Sequence, residues 1–275
     1  MIGAVCVAPG LGDIEARLGP DGRSHVTRAY ATSPLRLLTP TNHGHAAWIY
    51  TSSYGGGLVD GDAVSLDVSV GEGAAAFVST QASTKVYRSV RGTESRLRAH
   101  VGRRGVLVLA PDPVVCFAAA RYRQAQTIRL ETDAGLVLVD WLTSGRRAAG
   151  ERWRFDEYTA HTEVVVGDRL ALHDTLSLRA GHGDLSSRLG RFDVLALVVL
   201  AGGRLEAAAR AVLARVEQTP LVRRADLLMS AAPLRTEGCA VRIAGRSVEQ
   251  VAAVIEAVAD FVPALLGDNP WTRKW

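Results

Sequence analysis

Period-two alternation of apolar and polar residues runs through the first two-thirds of the chain and constrains its fold more than any other feature. Val64, Leu66, Val68 and Val70 alternate with Ser65, Asp67 and Ser69. Successive side chains of a strand point to opposite faces, so this segment is expected to be a strand with one face buried. Gly71-Glu72-Gly73 leads from it into a second strand, Ala74 to Thr80, and the two are expected to form a hairpin. Gly19-Pro20-Asp21-Gly22 joins strands near 14–18 and 24–32, and Gly167-Asp168 joins Thr162–Val166 to Arg169–Leu178. Further strands are expected at 46–52, 94–101, 105–110, 121–131, 135–143 and 152–160. Turn signals recur about every 8–12 residues, which favours a layered, sandwich-like body over βαβ units.

Two stretches carry a helical pattern. Arg204–Val216 is rich in Ala, Arg and Leu. The second starts at Ser247, with Gln250 three positions on as a capping box, and places Val248, Val251, Ile255, Val258 and Val262 on one face. Gly267 and Pro270 are expected to end it. No Pro/Ser-rich linker, internal repeat or low-complexity segment divides the chain, so residues 1–275 are taken as one domain. The expected fold is mainly β: layered antiparallel or mixed sheets in one body, with two helices of the C-terminal third packed at the side.

Composition removes several function classes. Hydrophobic residues make up 48 % and charged residues 22 % of the 275 positions, enough for a large core and unlike a disordered chain. The net charge is +4, and lysine occurs only at Lys85 and Lys274, so almost all the basic charge is arginine. Those arginines are scattered as pairs and singles, and aromatics are only 6 %, whereas a nucleic-acid binder clusters its charge and interleaves stacking rings. Cys6, Cys116 and Cys239 lie far apart with no C-x-x-C spacing, which supports neither a disulfide framework nor a zinc knuckle. The start MIGAVCVAPG lacks a basic region before a long apolar one, and the longest apolar run, Val194 to Ala201, is too short to span a bilayer. A cytoplasmic protein is expected, with neither membrane nor nucleic acid as partner.

Familiar enzyme signatures are missing. No phosphate loop, G-x-S-x-G elbow or H-E-x-x-H pair occurs, and Gly55-Gly56-Gly57-Leu58-Val59-Asp60-Gly61 is expected to be a tight turn. Three features remain. His43-Gly44-His45 would present two imidazoles on one face if extended, a possible pair of ligands for nickel or zinc; otherwise it is an exposed loop pair after Pro40. Asp140 and Asp174 sit within apolar strands, where a carboxylate needs an arginine partner or a polar interior passage that could offer ligands to a divalent cation. The polar run Ser79 to Ser89 follows an apolar strand and is either a binding loop or a turn with hydrogen-bonded hydroxyls.

At these segments the chain resembles the UreD (UreH) family of urease accessory proteins. The likeness rests on Gly56-Gly57-Leu58-Val59 with Gly61-Asp62, on Thr80-Gln81-Ala82-Ser83-Thr84-Lys85-Val86-Tyr87-Arg88-Ser89, on Asp112-Pro113-Val114-Val115 with Phe117, Arg121 and Tyr122, and on Asp140 to Glu151 with Gly145-Arg146. The resemblance implies a mostly β scaffold without catalytic activity of its own. Such a scaffold joins the helical protein UreF and the GTPase UreG to the urease apoprotein, in a dimeric assembly. It implies that nickel passes transiently through the interior to a carbamylated lysine in urease, with no tightly bound cofactor. The positions matching the family's polar passage are His45, Thr84, Asp140 and Asp174. The chain departs from the family pattern at Ser53-Tyr54-Gly55, where a Pro-Pro pair is common, at Asp60 in place of a glycine, and at Cys116 in place of a frequent proline.

Two other readings remain open on sequence. A metal-dependent enzyme would use His43, His45 and an acid such as Asp174. A metal-free interaction module would bridge partners without using either carboxylate.

Overall fold

A computed structural model describes residues 9–220 and 222–273, so Cys6, Lys274 and the start of the chain lie outside the described residues. The chain opens with an antiparallel hairpin, β1 (Gly10–Leu18) and β2 (Ser24–Ala31), then a second antiparallel pair, β3 (Leu35–Leu38) and β4 (Ala47–Ser53). From there it crosses back and forth between two sheets. β5 (Ala63–Val70), β8 (Thr93–Val101), β11 (Arg121–Leu130) and β13 (Glu157–Val166) enter the first. β6 (Ala75–Thr80), β9 (Val106–Leu109) and β12 (Gly135–Thr143) enter the second, with the short β7 (Thr84–Val86) and β10 (Val114–Cys116) beside β12. β14 (Arg169–Arg179) closes the first sheet by a hairpin, and β15 (Val194–Ala201), β16 (Leu227–Pro233) and β17 (Gly238–Gly245) extend the second. The strand orders are β14-β13-β11-β8-β5-β1-β2 and β16-β17-β15-β12-β9-β6-β4-β3.

Because each crossing returns to the same sheet one strand further on, the central neighbours pair in parallel: β5 with β8, β8 with β11, β4 with β6 and β6 with β9. This corrects the hairpin expected at Gly71-Glu72-Gly73. β5 and β6 lie in different sheets, and the turn carries the chain from one to the other, with Gly73 in the left-handed region (φ 66°). The reason is burial. β5 shows a half-buried alternation, whereas Ala75 to Ser79 of β6 are all buried, a pattern that a strand adopts only when covered on both faces.

The same distinction separates the two sheets. Ile14, Leu66, Val68, Ile128 and Val164 of the first meet Ile49, Val78, Leu107, Leu136, Leu138 and Val199 of the second in a shared apolar layer. The second sheet's other face, with Trp48, Phe77, Val108, Val139 and Val198, is covered by α2 (Glu206–Glu217), α3 (Val248–Val258) and α4 (Val262–Leu266). A third apolar cluster, around Tyr122, Trp153, Phe155 and Tyr158, fills one end between the sheets. Val194–Ala201 is therefore a two-sided core strand.

The strands expected at 46–52, 94–101, 105–110, 121–131 and 135–143 are present, and two other expectations meet local corrections. The strand expected at 152–160 begins only at Glu157 and runs unbroken to Val166, because Trp153 adopts φ 54° and Arg152 turns aside to Asp193. The last helix is two: Ser247 caps α3 through its side chain as expected, but Pro263 has no N–H to donate back to Ala259, and the helix breaks there before α4 resumes. A further short helix, α1 (Leu185–Leu189), has no counterpart in the sequence pattern. No helix among the described residues is long and apolar enough to cross a membrane.

Candidate functional site

Parity along four strands builds the site. In β12, Leu136, Leu138, Asp140 and Leu142 share the face toward the first sheet, while Val137, Val139 and Trp141 face the helices. In β11 the inward series is Tyr122, Gln124, Gln126, Ile128 and Leu130. In β13 it is Tyr158, Ala160, Thr162 and Val164, and in β14 Asp174 stands opposite Thr162. The apolar interior between the sheets is thus interrupted by a polar seam made of Gln124, Gln126, Asp140, Thr162 and Asp174.

Asp140 is its centre. Gln124 Nε2 donates to Asp140 Oδ2 at 2.9 Å and Gln126 Nε2 donates to the same oxygen at 3.1 Å. Gln126 also reaches Thr162 Oγ1, and Tyr122 donates its phenol to Gln124 Oε1 at 3.1 Å. Asp140 makes no ion pair among the described residues, so its charge rests on amide donors alone. Burial pushes its carboxyl up to about 6, the Asp174 carboxylate adds to the rise, and the two glutamine amides hold it back. Tyr158 is pushed well above its ordinary range by burial, with Asp140 contributing, so its phenol keeps its proton.

Two cavities share this carboxylate in their walls. One, of about 190 Å³, is lined by Thr80, Thr84, Ser95, Asp112 and Gln124 together with Asp140. The other, of about 260 Å³, is lined by Asp140, Thr162, Asp174 and Arg242. Asp174 is ion-paired with Arg242, and the guanidinium side chain is 56 % exposed, so this end reaches solvent. Asp174 thus has the arginine partner that sequence allowed for it, whereas Asp140 has none among the described residues and faces polar side chains instead. Space of this kind, with exchangeable oxygen ligands and no cationic counterpart at its centre, suits weak and sequential binding of a cation rather than a cage.

Thr84 joins this interior; His45 does not. The segment His43 to Ala46 bends instead of extending, because Gly44 lies against the backbone of Leu266–Asp268, so close that a Cβ would sit 2.5 Å from Leu266 O. His45 Nε2 bonds Leu265 O at 3.0 Å, at the end of α4, and the residue lines neither cavity. Among the described residues no group of three or more His, Cys, Asp or Glu is arranged to hold a metal ion. Cys116 and Cys239 are buried free thiols, and burial pushes Cys239 up to about 11.

The other motif residues brace the loops around the first cavity. Gly57 packs against Lys85 O, where a Cβ would come within 2.6 Å, and Leu58 N donates to that same oxygen. Gly56 lies in the exposed turn before it, in the left-handed region. Gly61 sits at φ 88° under the Arg91 guanidinium, and Asp62 Oδ2 accepts from Val59 N at 2.8 Å. Asp60, which replaces a glycine of the family pattern, is not in the left-handed region and binds Arg91, so the substitution is accommodated. Thr80 Oγ1 accepts from Asp112 N at 2.7 Å and donates to its carboxylate, tying two cavity loops together. Tyr87 stacks edge-on against Phe117, Arg146 lies 4.1 Å over that ring, and Arg146 pairs with Glu151, holding the glutamate's carboxyl below its ordinary range. Gln81, Lys85 and Arg88 point to the exposed side of the run. Gln124, Gln126 and Thr162 carried a readable signal, being polar residues at the parity of Ile128 and Val164. Arg242 had none, since only the packing of one sheet on the other brings β17 near β14.

The molecule is thus a two-sheet β protein with a polar interior centred on a carboxylate that makes no ion pair among the described residues, braced by the motif loops around it. The family model described as "UreD urease accessory protein" matches residues 11–275. The chain is 52 % identical over 254 residues to a protein named urease accessory protein UreD from Sorangium cellulosum, covering 92 % of this chain and 81 % of that one. It is 45 % identical over 255 residues to a protein of the same name from an Anaeromyxobacter species, covering 92 % and 86 %. A urease accessory protein D from Oryza sativa is 42 % identical over 192 residues, 67 % of this chain and 63 % of that one. The chain belongs to the UreD family of urease accessory proteins.

Proposed function

We propose that this chain acts in urease maturation as a non-catalytic scaffold through which nickel passes, linking a UreF-like protein and a UreG-like GTPase to the urease apoprotein. The observation that carries the passage is the position of Asp140 on the wall of both cavities, with Thr84 in one and Asp174 in the other. Nickel is cargo here. The oxygens of Thr80, Thr84 and Asp112 on one side and of Thr162 and Asp174 on the other lie along the two cavities, and Asp140 can take the cation in place of the proton that burial favours. Family membership and the relatives' names, urease accessory proteins, support a role beside urease, and the UreF-like and UreG-like partners are what the family resemblance implies.

The test is to express a urease operon with this chain deleted, restored, or restored as Asp140→Asn/Asp174→Asn, and to measure urease activity and nickel per urease active site. Deletion is expected to lower both, and the double variant is expected to lower both while the partner complexes still form. Full activation by the double variant would reduce the chain to a metal-free bridge. Full activation without the chain would overturn the maturation role.

A further inference from the structure

The geometry points to a second divalent-metal site on the outside of the molecule, formed by His161 and His173 and taking an imidazole-preferring transition-metal ion of the nickel, copper or zinc class. β13 and β14 pair antiparallel with His161 opposite Thr175 and His173 opposite Glu163, so both histidines stand on the outer face of the hairpin. Their rings lie 4.7 Å apart between centroids and are perpendicular, at 89°. His161 Nδ1 and Thr175 Oγ1 are hydrogen-bonded at 2.9 Å. In the tautomer whose Nδ1–H donates to the threonine oxygen, Nε2 carries the lone pair that can ligate a metal. Orientation of a ligating imidazole through its other nitrogen is the usual support of a metal-binding histidine. Among the described residues no protein group bonds that Nε2 or either ring nitrogen of His173.

The pair has two ligands and no more, since no third His, Cys, Asp or Glu among the described residues completes a set. Water must fill the remaining positions, which makes the site open and exchangeable. Two imidazoles favour a borderline ion over magnesium or calcium. The Glu163 carboxylate, on the same face, adds negative charge nearby. The site stands on its own geometry; only its use rests on the proposed function. His161 and His173 are the immediate chain neighbours of Thr162 and Asp174, which face the inner cavity. An ion held outside therefore lies one sheet thickness from the cavity end at Asp174.

Titration of the full-length chain with Ni²⁺ by calorimetry tests the site, with Mg²⁺ as the contrasting ion and Cu²⁺ for electron paramagnetic resonance. One saturable Ni²⁺ is expected to be lost in His161→Ala/His173→Ala, weakened about ten-fold or more in Thr175→Val, and kept in His43→Ala/His45→Ala and in Asp140→Asn/Asp174→Asn. The Cu²⁺ spectrum is expected to show two nitrogen donors that disappear in His161→Ala/His173→Ala. All substitutions of the pair lie on the solvent side, and an unchanged urea midpoint establishes that each variant is folded. An isotherm unaffected by His161→Ala/His173→Ala, or no saturable Ni²⁺ in the wild type, overturns the proposal. Binding lost only in Asp140→Asn/Asp174→Asn also overturns it, placing the ion inside and leaving the passage standing. Binding at the histidine pair together with full urease activation by Asp140→Asn/Asp174→Asn supports this site and sinks the passage instead.

Discussion

A carboxylate surrounded by protein and held only by two glutamine amides makes the native state sensitive to pH. Burial raises the folded pKa of Asp140 to about 6, whereas an unfolded aspartate titrates near ~3.9. The folded chain therefore holds this proton more tightly. The stability it contributes is complete below the unfolded value and is lost as pH rises through about 6, leaving a charge that disfavours the fold by about 2–3 kcal/mol. Asp140→Asn keeps an oxygen for both glutamine donors and removes the charge. It is expected to be more stable than wild type by about 1–3 kcal/mol at pH 7.5 and by less than about 1 kcal/mol at pH 4, read from urea unfolding at both values. A difference independent of pH would show that the carboxylate is not charged against its surroundings.

Among the elements, α3 shows how local chemistry and packing share the work. Ser247 Oγ accepts from Gln250 N at 3.2 Å, fixing the first turn, and Val251, Ile255 and Val258 are fully buried against the second sheet. Gln250 Oε1 accepts from Arg246 N, one residue before the cap, so the reciprocal half of the capping box is displaced by one position. Ser247→Ala is expected to destabilise the chain by about 1 kcal/mol and Ser247→Asp to restore it, measured by urea unfolding. Equal loss in both variants would mean that the serine packs rather than caps. The hairpin of β13 and β14 divides its roles by face, with Thr162 and Asp174 inward and His161 and His173 outward.

Across the whole molecule, parallel pairing between strands separated by a crossing makes most contacts non-local. β5 pairs with β8 and β11 with β13, each across an excursion into the other sheet. Loop-closure entropy must be met before such contacts form, so refolding is expected on the millisecond-to-second scale or slower, followed by tryptophan fluorescence after dilution from urea. Microsecond refolding would be inconsistent with this topology. The layered arrangement also explains why the polar seam survives: apolar clusters lie to either side of it, so the sheets stay together without help from Asp140.

Sequence alone determined strands where alternation, as in Val64 to Val70 or Tyr122 to Leu130, records burial directly, but it did not show β3, β16 or β17. It also determined the two hairpin turns at Gly19–Gly22 and Gly167-Asp168, the cap at Ser247, and the family, through its motif loops. It marked Asp140 and Asp174 as acids in apolar strands. It did not show which strands are neighbours, since Ala75 to Ser79 and Val194 to Ala201 are apolar throughout and carry no record of their partners. Tertiary structure alone turned Gly71-Glu72-Gly73 into a crossing between sheets, gave Arg242 to Asp174, left Asp140 with glutamines, and drew His45 onto the end of α4. Those outcomes depend on the register and order of strands far apart in the chain, and a local pattern of hydrophobicity contains neither.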